Sequence, residues 1–456
     1  MTATPQLARV ARHLASRAPQ SAALTRAARR VAPGGASHDA RQLNPHGIFV
    51  RAAQGARKTD VDGNAIVDLV CGHGALLFGH GHAPAVDAAQ RALASGVHFG
   101  AGTAAELAWA QAVQRRIPCA ERVRFTASGN EACLLAAAVA RLATGRNAIL
   151  SIKGHYLGWA LPAVLPRIDI ADAPDADTRL CIADAADADA AVDALATGRF
   201  AAIMLEPTGA SFGKAPLSFT QLRAIAHAAR ERGTLTLFDE TITGFRVSPG
   251  GAQYASGVTP DLAVLGKILG GGLPCGALAG RAHLMDLLDN TPESGASGPH
   301  LSHMGTGNGN PVVAAAGVAT LHALGDGAPC AEAEAAAAEL RARLNALFDA
   351  KRVPWAAYGA HSGLHLFLNP FGRALDPAAF DAAAVPATEL LLRERSLINA
   401  LRVALLGFGA DINPWPGGLL STAHGIDDIV LLLDAFASAI DAMADAPFTL
   451  AGWGSV

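Results

Sequence analysis

The feature that most constrains the fold is an alternation, between about residues 121 and 285, of short apolar runs with stretches of helical periodicity. Parallel strands need long crossover connections, usually helices, so this alternation predicts an α/β fold with a mostly parallel sheet covered on both faces. The predicted strands are Val123–Ala127, Ala148–Ile152, Leu180–Ile182, Ala201–Leu205, Thr234–Asp239, Leu262–Gly266 and Gly276–Gly280. Helices such as Glu131–Ala143 and Phe219–Arg232 lie between them.

The remaining sequence predicts a second, smaller domain of the α+β type. Its expected elements are an Ala/Glu-rich helix near 330–350, strands at Ala356–Tyr358 and Gly363–Leu368, helical periods at 386–407 and a last helix at 426–445. The segment before about residue 65 has no recognisable sheet core, so we expect it to join this domain. The predicted organisation is an N-terminal joining segment at 1–65, a large domain at 66–325 and a small domain at 326–456.

The composition argues against several classes of protein. A formal net charge of −3, without runs of Lys and Arg interleaved with aromatic residues, gives no field that would attract nucleic acid. The longest apolar stretches, such as Ala132–Ala140, fall short of the roughly 20 residues that a bilayer requires. Six scattered cysteines favour reduced thiols in the cytoplasm rather than a disulfide framework or a metal site. We therefore expect no nucleic-acid partner, no membrane partner and no bound metal.

The first 38 residues are rich in arginine, and no acidic residue precedes Asp39. This pattern resembles an organellar transit peptide. The alternative, which we favour, is a pair of Ala/Arg-rich helices that dock on the body of the protein.

One lysine of this lysine-poor chain stands at the end of a predicted strand. Lys267 follows Leu262–Gly266 and precedes three glycines, Gly270 to Gly272, which would let a bulky ligand approach the backbone. Burial lowers the pKa of a lysine and leaves a free amine that can condense with an aldehyde. Taken alone, Lys267 also fits a surface lysine at a strand–loop junction.

Asp239 ends another predicted strand. A carboxylate at the carboxyl end of a parallel strand points into the crevice where open α/β sheets bind ligands. There it can keep a ring nitrogen protonated. An isolated aspartate at this position would also be explained as a helix or turn cap.

Two further groups follow strand ends. Ser128, Gly129 and Asn130 open a predicted helix, where backbone N–H groups form an anion site suited to a phosphate. Tyr156 follows the next strand and can stack on an aromatic ring, although a core aromatic residue fits the spacing nearly as well. An amine, an acid, a phosphate cup and a stacking face are what pyridoxal 5′-phosphate (PLP) needs from a protein. We therefore predict PLP as the cofactor, held by Lys267 and paired to Asp239.

Taken together, these residues resemble the class III aminotransferases, PLP-dependent transferases of fold type I. The similarity covers nearly the whole chain and is highest to the subgroup that contains glutamate-1-semialdehyde 2,1-aminomutase and D-phenylglycine aminotransferase. It is carried by Lys58-Thr-Asp-Val-Asp-Gly-Asn64, Gly79-His-Gly-His82, Gly154-His-Tyr156, Phe238-Asp-Glu-Thr-Ile-Thr-Gly-Phe-Arg246, Thr259-Pro-Asp261, Leu265-Gly-Lys267, Gly270-Gly-Gly-Leu-Pro-Cys-Gly276 and Gly305-Thr-Gly-Asn-Gly-Asn-Pro311.

The resemblance implies a homodimer with shared active sites, in which Thr306 reaches the cofactor phosphate of the neighbouring subunit. It also implies that Arg41 binds the substrate carboxylate, for which a guanidinium fork is well suited. Arg29 and Arg30 are the other N-terminal candidates but also fit a surface helix face. Thr241 stands where the family has valine, and we count it, like Asn130 in place of a threonine, among the cofactor contacts.

The activity implied by the resemblance is transfer of an amino group between an amino acid and a 2-keto acid, with aromatic, D- and β-amino acids as the candidate substrates. Three departures from the family pattern leave the substrate open. Leu157 replaces a histidine, Ser211 occupies a position that often bonds the ring oxygen, and the loop after Trp159 is short. Two alternatives remain: an intramolecular aminomutase acting on an amino-aldehyde such as glutamate 1-semialdehyde, and a non-catalytic PLP-binding homologue.

Overall fold

A computed structural model describes residues 5–164, 167–169, 180–183, 188–291 and 300–444. They divide into two compact units. The small unit comprises the described residues within Met1–His82, Ala331–Ala382 and Leu392–Val456, and the large unit those within Ala83–Cys330 and Ala383–Leu391.

The strands are, in chain order, β1 Val50–Gln54, β2 Arg57–Asp60, β3 Ala65–Asp68, β4 Arg122–Thr126, β5 Ala148–Ile152, β6 Arg167–Asp169, β7 Leu180–Ala183, β8 Phe200–Leu205, β9 Ala215–Pro216, β10 Leu235–Asp239, β11 Leu262–Gly266, β12 Gly276–Gly280, β13 Ala356–Tyr358, β14 Gly363–Phe367, β15 Ala410–Asp411 and β16 Gly417–Leu419.

The helices are α1 Pro5–Arg17, α2 Pro19–Val31, α3 Cys71–Gly74, α4 Ala83–Ser95, α5 Ala104–Gln114, α6 Gly129–Thr144, α7 Leu161–Val164, α8 Ala188–Leu195, α9 Ala210–Gly213, α10 Phe219–Glu231, α11 Gly251–Ser256, α12 Ala282–Met285, α13 Pro311–Ala323, α14 Ala328–Ala350, α15 Ala387–Leu390, α16 Arg395–Gly407 and α17 Ile426–Met443. The short segments α3 and α9 contain left-handed residues and are better described as tight turns.

The large unit contains an eight-stranded sheet in the order β4-β12-β11-β10-β8-β5-β7-β6. All seven predicted strands are present, and the predicted α/β fold with a mostly parallel sheet is confirmed. Only β12 runs antiparallel to its neighbours among the described strands of this sheet. The reason is the short link between β11 and β12, residues 267–275, since a parallel crossover takes roughly a dozen residues or more.

The two faces of this sheet are covered by different helices. Leu237 packs in a cluster with α6, whereas its neighbour Phe238 packs in a cluster with α8 and α10. Burial on both faces explains why β5, β8 and β11 are buried at every position and read as continuous apolar runs. The sheet therefore provides a rigid support for the residues that follow its strand ends.

A short segment from the C-terminal part of the chain also belongs to the large unit. Residues Ala383–Leu391 include α15, which packs against β9. The side chain of Leu391 lies where a side chain at Gly154 would otherwise be, so glycine is required at residue 154. This segment therefore supports the loop that follows β5.

The small unit contains two further sheets, ordered β1-β2-β3-β15 and β13-β14-β16. The strand pair expected near 356–368 is present as β13 and β14, and it pairs antiparallel. Strands β1 and β2 were not predicted, because their residues are mostly exposed and lack an apolar alternation. The arginine-rich N-terminal segment forms α1 and α2, and Val10 and Leu14 of α1 lie in the core of this unit.

No helix in the described part of the chain combines the length and the apolar character that crossing a membrane requires. Within the same residues there is no group of His, Cys, Asp and Glu side chains placed to hold a metal ion.

Candidate active site

The predicted site residues meet at one edge of the large sheet. Strands β4, β5, β8, β10 and β11 all point in the same direction, so their carboxyl ends lie along this edge. The predicted phosphate loop follows β4, Tyr156 follows β5, Asp239 ends β10 and Lys267 follows β11. The large unit therefore brings together four groups that are far apart in the sequence.

Lys267 follows β11 directly, in a left-handed backbone conformation with a φ of 55°. Burial lowers the pKa of its amine to about 8; the charge of Asp239 opposes this shift, and the charge of Arg246 adds to it. A larger fraction of the amine is therefore neutral near physiological pH than in an ordinary lysine. A neutral amine is the form that attacks an aldehyde and accepts a proton.

Asp239 is 5% exposed at the end of β10. Its Oδ1 accepts the backbone N–H of Thr241 at 2.9 Å, and its Oδ2 accepts the thiol of Cys133, with an S···O distance of 3.6 Å. Burial raises the pKa of this carboxyl group, whereas the bonds from Thr241 and the charge of Lys267 lower it. A protonated ring nitrogen placed here would stabilise the ionised carboxylate.

The predicted phosphate loop forms the N-terminus of α6. Ser128 caps the helix by accepting the N–H of Glu131 at 3.2 Å. The amides of Gly129 and Asn130 lie in the first turn, where helix geometry supplies no acceptor. A Cβ atom at Gly129 would lie 2.9 Å from Oγ1 of Thr241, so the turn can pack against Thr241 in this way only because residue 129 is glycine. These amides and this cradle fit a phosphate.

The side chain of Asn130 bonds to the protein itself. Its Oδ1 accepts the N–H of Ala160 at 3.0 Å and so braces the loop that contains Gly158. Its predicted contact with the cofactor therefore depends on its backbone amide.

Tyr156 is 58% exposed, although its backbone N–H is held by Glu206 at 2.7 Å. Burial of part of the ring, followed by the charges of Asp239 and Cys133, raises the pKa of its phenol. An exposed aromatic face near Asp239 fits a stacked pyridine ring. The described residues thus fit PLP at its amine, acid, phosphate and ring-face positions.

Thr306 is exposed and belongs to the turn that precedes α13. Its carbonyl oxygen accepts from Nε2 of His98 at 2.6 Å. A Cβ atom at the neighbouring Gly307 would lie 3.8 Å from Ala127 of the same chain, so this turn lies next to the phosphate loop. The role of Thr306 at a partner's phosphate stays a prediction.

Arg41 belongs to the small unit, at the end of the 3-10 turn Asp39–Arg41, and its side chain is exposed. Its role toward a substrate carboxylate stays a prediction. Arg29, the other candidate, donates to the carbonyl oxygens of Leu43 and Pro45 at 3.2 and 2.8 Å, which is a structural use of its guanidinium group.

The structure describes two of the three departures from the family pattern, at Leu157 and Ser211. Leu157 is 1% exposed and packs in the core with α6. Ser211 belongs to the left-handed turn α9. The short loop after Trp159 includes residues 165, 166 and 170–179, which lie outside the described residues.

Sequence reasoning missed several buried residues of the site. Glu206 follows β8 just as Lys267 follows β11, so the strand-end argument would have found it. The sequence identifies Cys133, in the second turn of α6, only as a buried thiol, and Arg246 only as the last residue of the Phe238–Arg246 motif. Their proximity to Asp239 and Lys267 follows from the tertiary structure.

Comparisons with known proteins agree with this geometry. A family model described as aminotransferase class-III matches residues 38–356. A glutamate-1-semialdehyde 2,1-aminomutase of Methylacidiphilum infernorum is 33% identical over 425 residues, 89% of this chain and 94% of that protein. A β-phenylalanine aminotransferase of Variovorax paradoxus superposes with a TM-score of 0.83 at 29% identity, covering 96% of this chain and 97% of the other. A transaminase with PLP bound gives a TM-score of 0.80 at 28% identity, covering 93% and 98%.

Proposed function

Because the chain belongs to the class III aminotransferase family, we propose that it transfers an amino group between an amino acid and a 2-keto acid with pyridoxal 5′-phosphate as its cofactor. The observation that carries the proposal is the juxtaposition of Lys267 and Asp239 at neighbouring strand ends, an amine of lowered pKa close to a buried carboxylate. A non-catalytic homologue would have no need to keep both groups.

PLP, when bound, supplies an electron sink that stabilises negative charge at the substrate Cα. Asp239 would keep the ring nitrogen protonated and so maintain that capacity. Lys267 would hold the cofactor through its amine and, once freed by the substrate amine, would be the base that accepts the proton from the substrate Cα. A base within reach of its proton typically contributes about 10²- to 10⁴-fold to the rate.

The other residues bind and orient. The amides of Gly129 and Asn130 and the hydroxyl of Ser128 would bind the phosphate, and Thr241 packs against Gly129. Tyr156 supports one face of the ring. With a keto acid as the second substrate, Lys267 would return a proton to Cα.

The substrate is the finer part of the proposal. We infer an amino acid whose carboxylate is bound by Arg41, with aromatic, D- and β-amino acids as the first candidates. Structural similarity to the β-phenylalanine aminotransferase supports a β-amino acid.

The second candidate is an intramolecular aminomutase, which the 33% identity to a glutamate-1-semialdehyde 2,1-aminomutase favours. The test is a screen of amine donors against the PLP-loaded enzyme, read as loss of the cofactor's visible absorbance, followed by a screen of keto acids that restore it. An aminotransferase responds to both screens. An aminomutase consumes glutamate 1-semialdehyde without any second substrate, and that result with no donor response would reject the first candidate.

The assembly we propose is a homodimer with shared active sites. Val97, Phe99 and Met304 are 55%, 53% and 88% exposed. They lie near Thr306, since His98 donates to the carbonyl of Thr306 and Asn310 donates to that of Val97 at 3.0 Å. An exposed apolar patch next to a predicted phosphate contact supports burial by a second copy.

Subunit mixing tests this assembly. Inactive Lys267→Ala subunits are combined with subunits carrying Thr306→Asp, whose added charge repels the phosphate. If Thr306 serves the partner's site, a mixed dimer has both lesions in one site and an intact second site, so activity partly returns. Confirmed subunit exchange without recovery would place Thr306 in its own subunit's site, as its closeness to Ala127 also allows, or away from the phosphate.

We further propose that the enzyme works in the cytoplasm. Five of its six cysteines are buried free thiols, and the sixth, Cys181, has no described side chain. Thiols persist in the reducing cytoplasm.

A further inference from the structure

A buried carboxylate that the proposed mechanism does not use lies behind the site. Glu206 follows β8 and is 5% exposed. Its Oε1 accepts the backbone N–H groups of Tyr156 at 2.7 Å and of Ser211 at 2.9 Å, and its Oε2 accepts that of Phe212 at 3.1 Å. One side chain therefore binds the main chain of two separate loops.

Both loops have conformations in which regular structure supplies no acceptor. Ser211 and Phe212 have φ values of 53° and 62°, in the left-handed region that residues other than glycine seldom occupy. Tyr156 lies in the irregular loop after Gly154, whose φ is 87°. Buried N–H groups need partners, and here the carboxylate of Glu206 provides them. Loss of this carboxylate would release both loops at once.

The main chain of Glu206 adds a connection of its own. Its N–H donates to Nδ1 of His155 at 2.8 Å, so the neutral ring carries its proton on Nε2. Burial lowers the pKa of His155 to about 3, and the ring therefore stays neutral near physiological pH. The residue that precedes Tyr156 is thus also fixed to the end of β8.

We propose that Glu206 is a positioning residue, whose carboxylate holds Tyr156 against the face of the cofactor ring and Ser211 at its edge. The proposal rests on the proposed function, because it assumes that the ring lies between these loops and Asp239. Strands β8, β10 and β11 are neighbours in the sheet, so Glu206 ties the loops to the same rigid support that carries Asp239 and Lys267. Without it, Tyr156 and Ser211 would move while the acid and the amine stayed in place.

The protonation state of Glu206 should change how firmly the loops are held. Burial raises its pKa to about 7; the three amides act against this, and the charge of Asp239 adds to it. The other titratable groups that interact with Glu206 are His155 through its main-chain bond, Tyr156, Cys133 and Lys267. As the pH falls through about 7, the carboxyl group gains a proton and becomes a weaker acceptor, so the loops loosen.

The experiment compares Glu206→Gln and Glu206→Ala with wild type in the full-length, PLP-loaded enzyme. The readouts are the visible circular dichroism of the bound cofactor, the rate of PLP release, and kcat and KM. We expect Glu206→Ala to release PLP at least tenfold faster and to lose most of the visible dichroism. Glu206→Gln keeps one acceptor oxygen, which can serve two of the three amides, so its rate of PLP release should lie between those of wild type and Glu206→Ala. Because glutamine does not titrate, that rate should also lack the pH dependence near 7 expected of wild type.

Glu240→Gln is the matched control. Glu240 is likewise buried and accepts backbone N–H groups, from Ala252 at 2.7 Å and Gln253 at 3.1 Å, but it has no described bond to the two loops. Its variant should keep the wild-type dichroism and the wild-type rate of PLP release.

The outcomes separate the two proposals. Wild-type dichroism and PLP release in the Glu206 variants would overturn the positioning role, and so would equal losses in Glu240→Gln. If Glu206→Ala does not fold, Glu206→Gln alone decides the question. A wild-type enzyme that never binds PLP would overturn the proposed function itself.

Discussion

A methyl group added at residue 129 should weaken cofactor binding through one identifiable clash. In Gly129→Ala, the new Cβ would lie 2.9 Å from Oγ1 and 3.1 Å from Cγ2 of Thr241. Thr241 packs against the backbones of both Gly129 and Gly266, since a Cβ atom at either residue would lie within 3.1 Å of its side chain. Either the first turn of α6 or the Thr241 side chain must therefore shift to relieve this contact.

The size of the effect follows from the cost of overpacking. Forcing one extra carbon into a well-packed region typically costs about 1–3 kcal/mol. If this cost falls on the phosphate loop, the apparent Kd for PLP rises roughly 5- to 150-fold. The helix should not weaken, because alanine is a better helix former than glycine by about 1 kcal/mol.

The assay titrates the PLP-free enzyme with PLP in a double-mutant cycle. Thr241→Ala removes both clashing atoms and leaves its Cβ at 3.7 Å, an ordinary contact, so Gly129→Ala should cost less than about twofold in that background. Gly102→Ala, where no atom lies within 4 Å of the new Cβ, is the control and should bind like wild type. Equal losses from Gly129→Ala in both backgrounds would refute the reasoning.

Three other outcomes are expected. Lys267→Ala should abolish covalent attachment of PLP, as borohydride reduction and peptide mapping would show; a label on Lys153 or Lys58 contradicts the assignment. Asp239→Asn should still bind PLP but lose several orders of magnitude in rate, and turnover within about threefold of wild type, under roughly 1 kcal/mol, would disprove its role. The pKa of Lys267 is lowered to about 8, and only its free amine reacts with PLP. The rate at which PLP attaches to the PLP-free enzyme should therefore rise roughly tenfold per pH unit below pH 8 and level off above it. A rate that still rises steeply at pH 9 would contradict the lowered pKa.

Strand ends made much of the site predictable from the sequence. An apolar run that ends in a reactive residue, as at Asp239 and Lys267, predicts a buried strand and places that residue at the edge of the sheet formed by the carboxyl ends of the strands. The same logic applies to Glu206, which went unnoticed because its partners are backbone amides. Such donors have no signature in the sequence.

Contacts between distant segments were harder to predict. The thiol of Cys133 on Asp239 and the bond from Ala160 to Asn130 depend on how α6 packs against the sheet. Asn130 was expected at the phosphate from its position, and the sequence held no sign that its side chain braces another loop. Strands β1 and β2 escaped prediction for a different reason, since exposed strands carry no apolar alternation.

The segment Ala383–Leu391 bears on how the enzyme matures during synthesis. The loop after β5 leaves the ribosome more than two hundred residues before Leu391, the side chain that fills the space above Gly154. A nascent chain can pair the strands of the large sheet early, yet the loop that carries Tyr156 lacks its support until residues 383–391 have been synthesised. C-terminal truncations ending before residue 383 would remove this support, so they should retain PLP poorly.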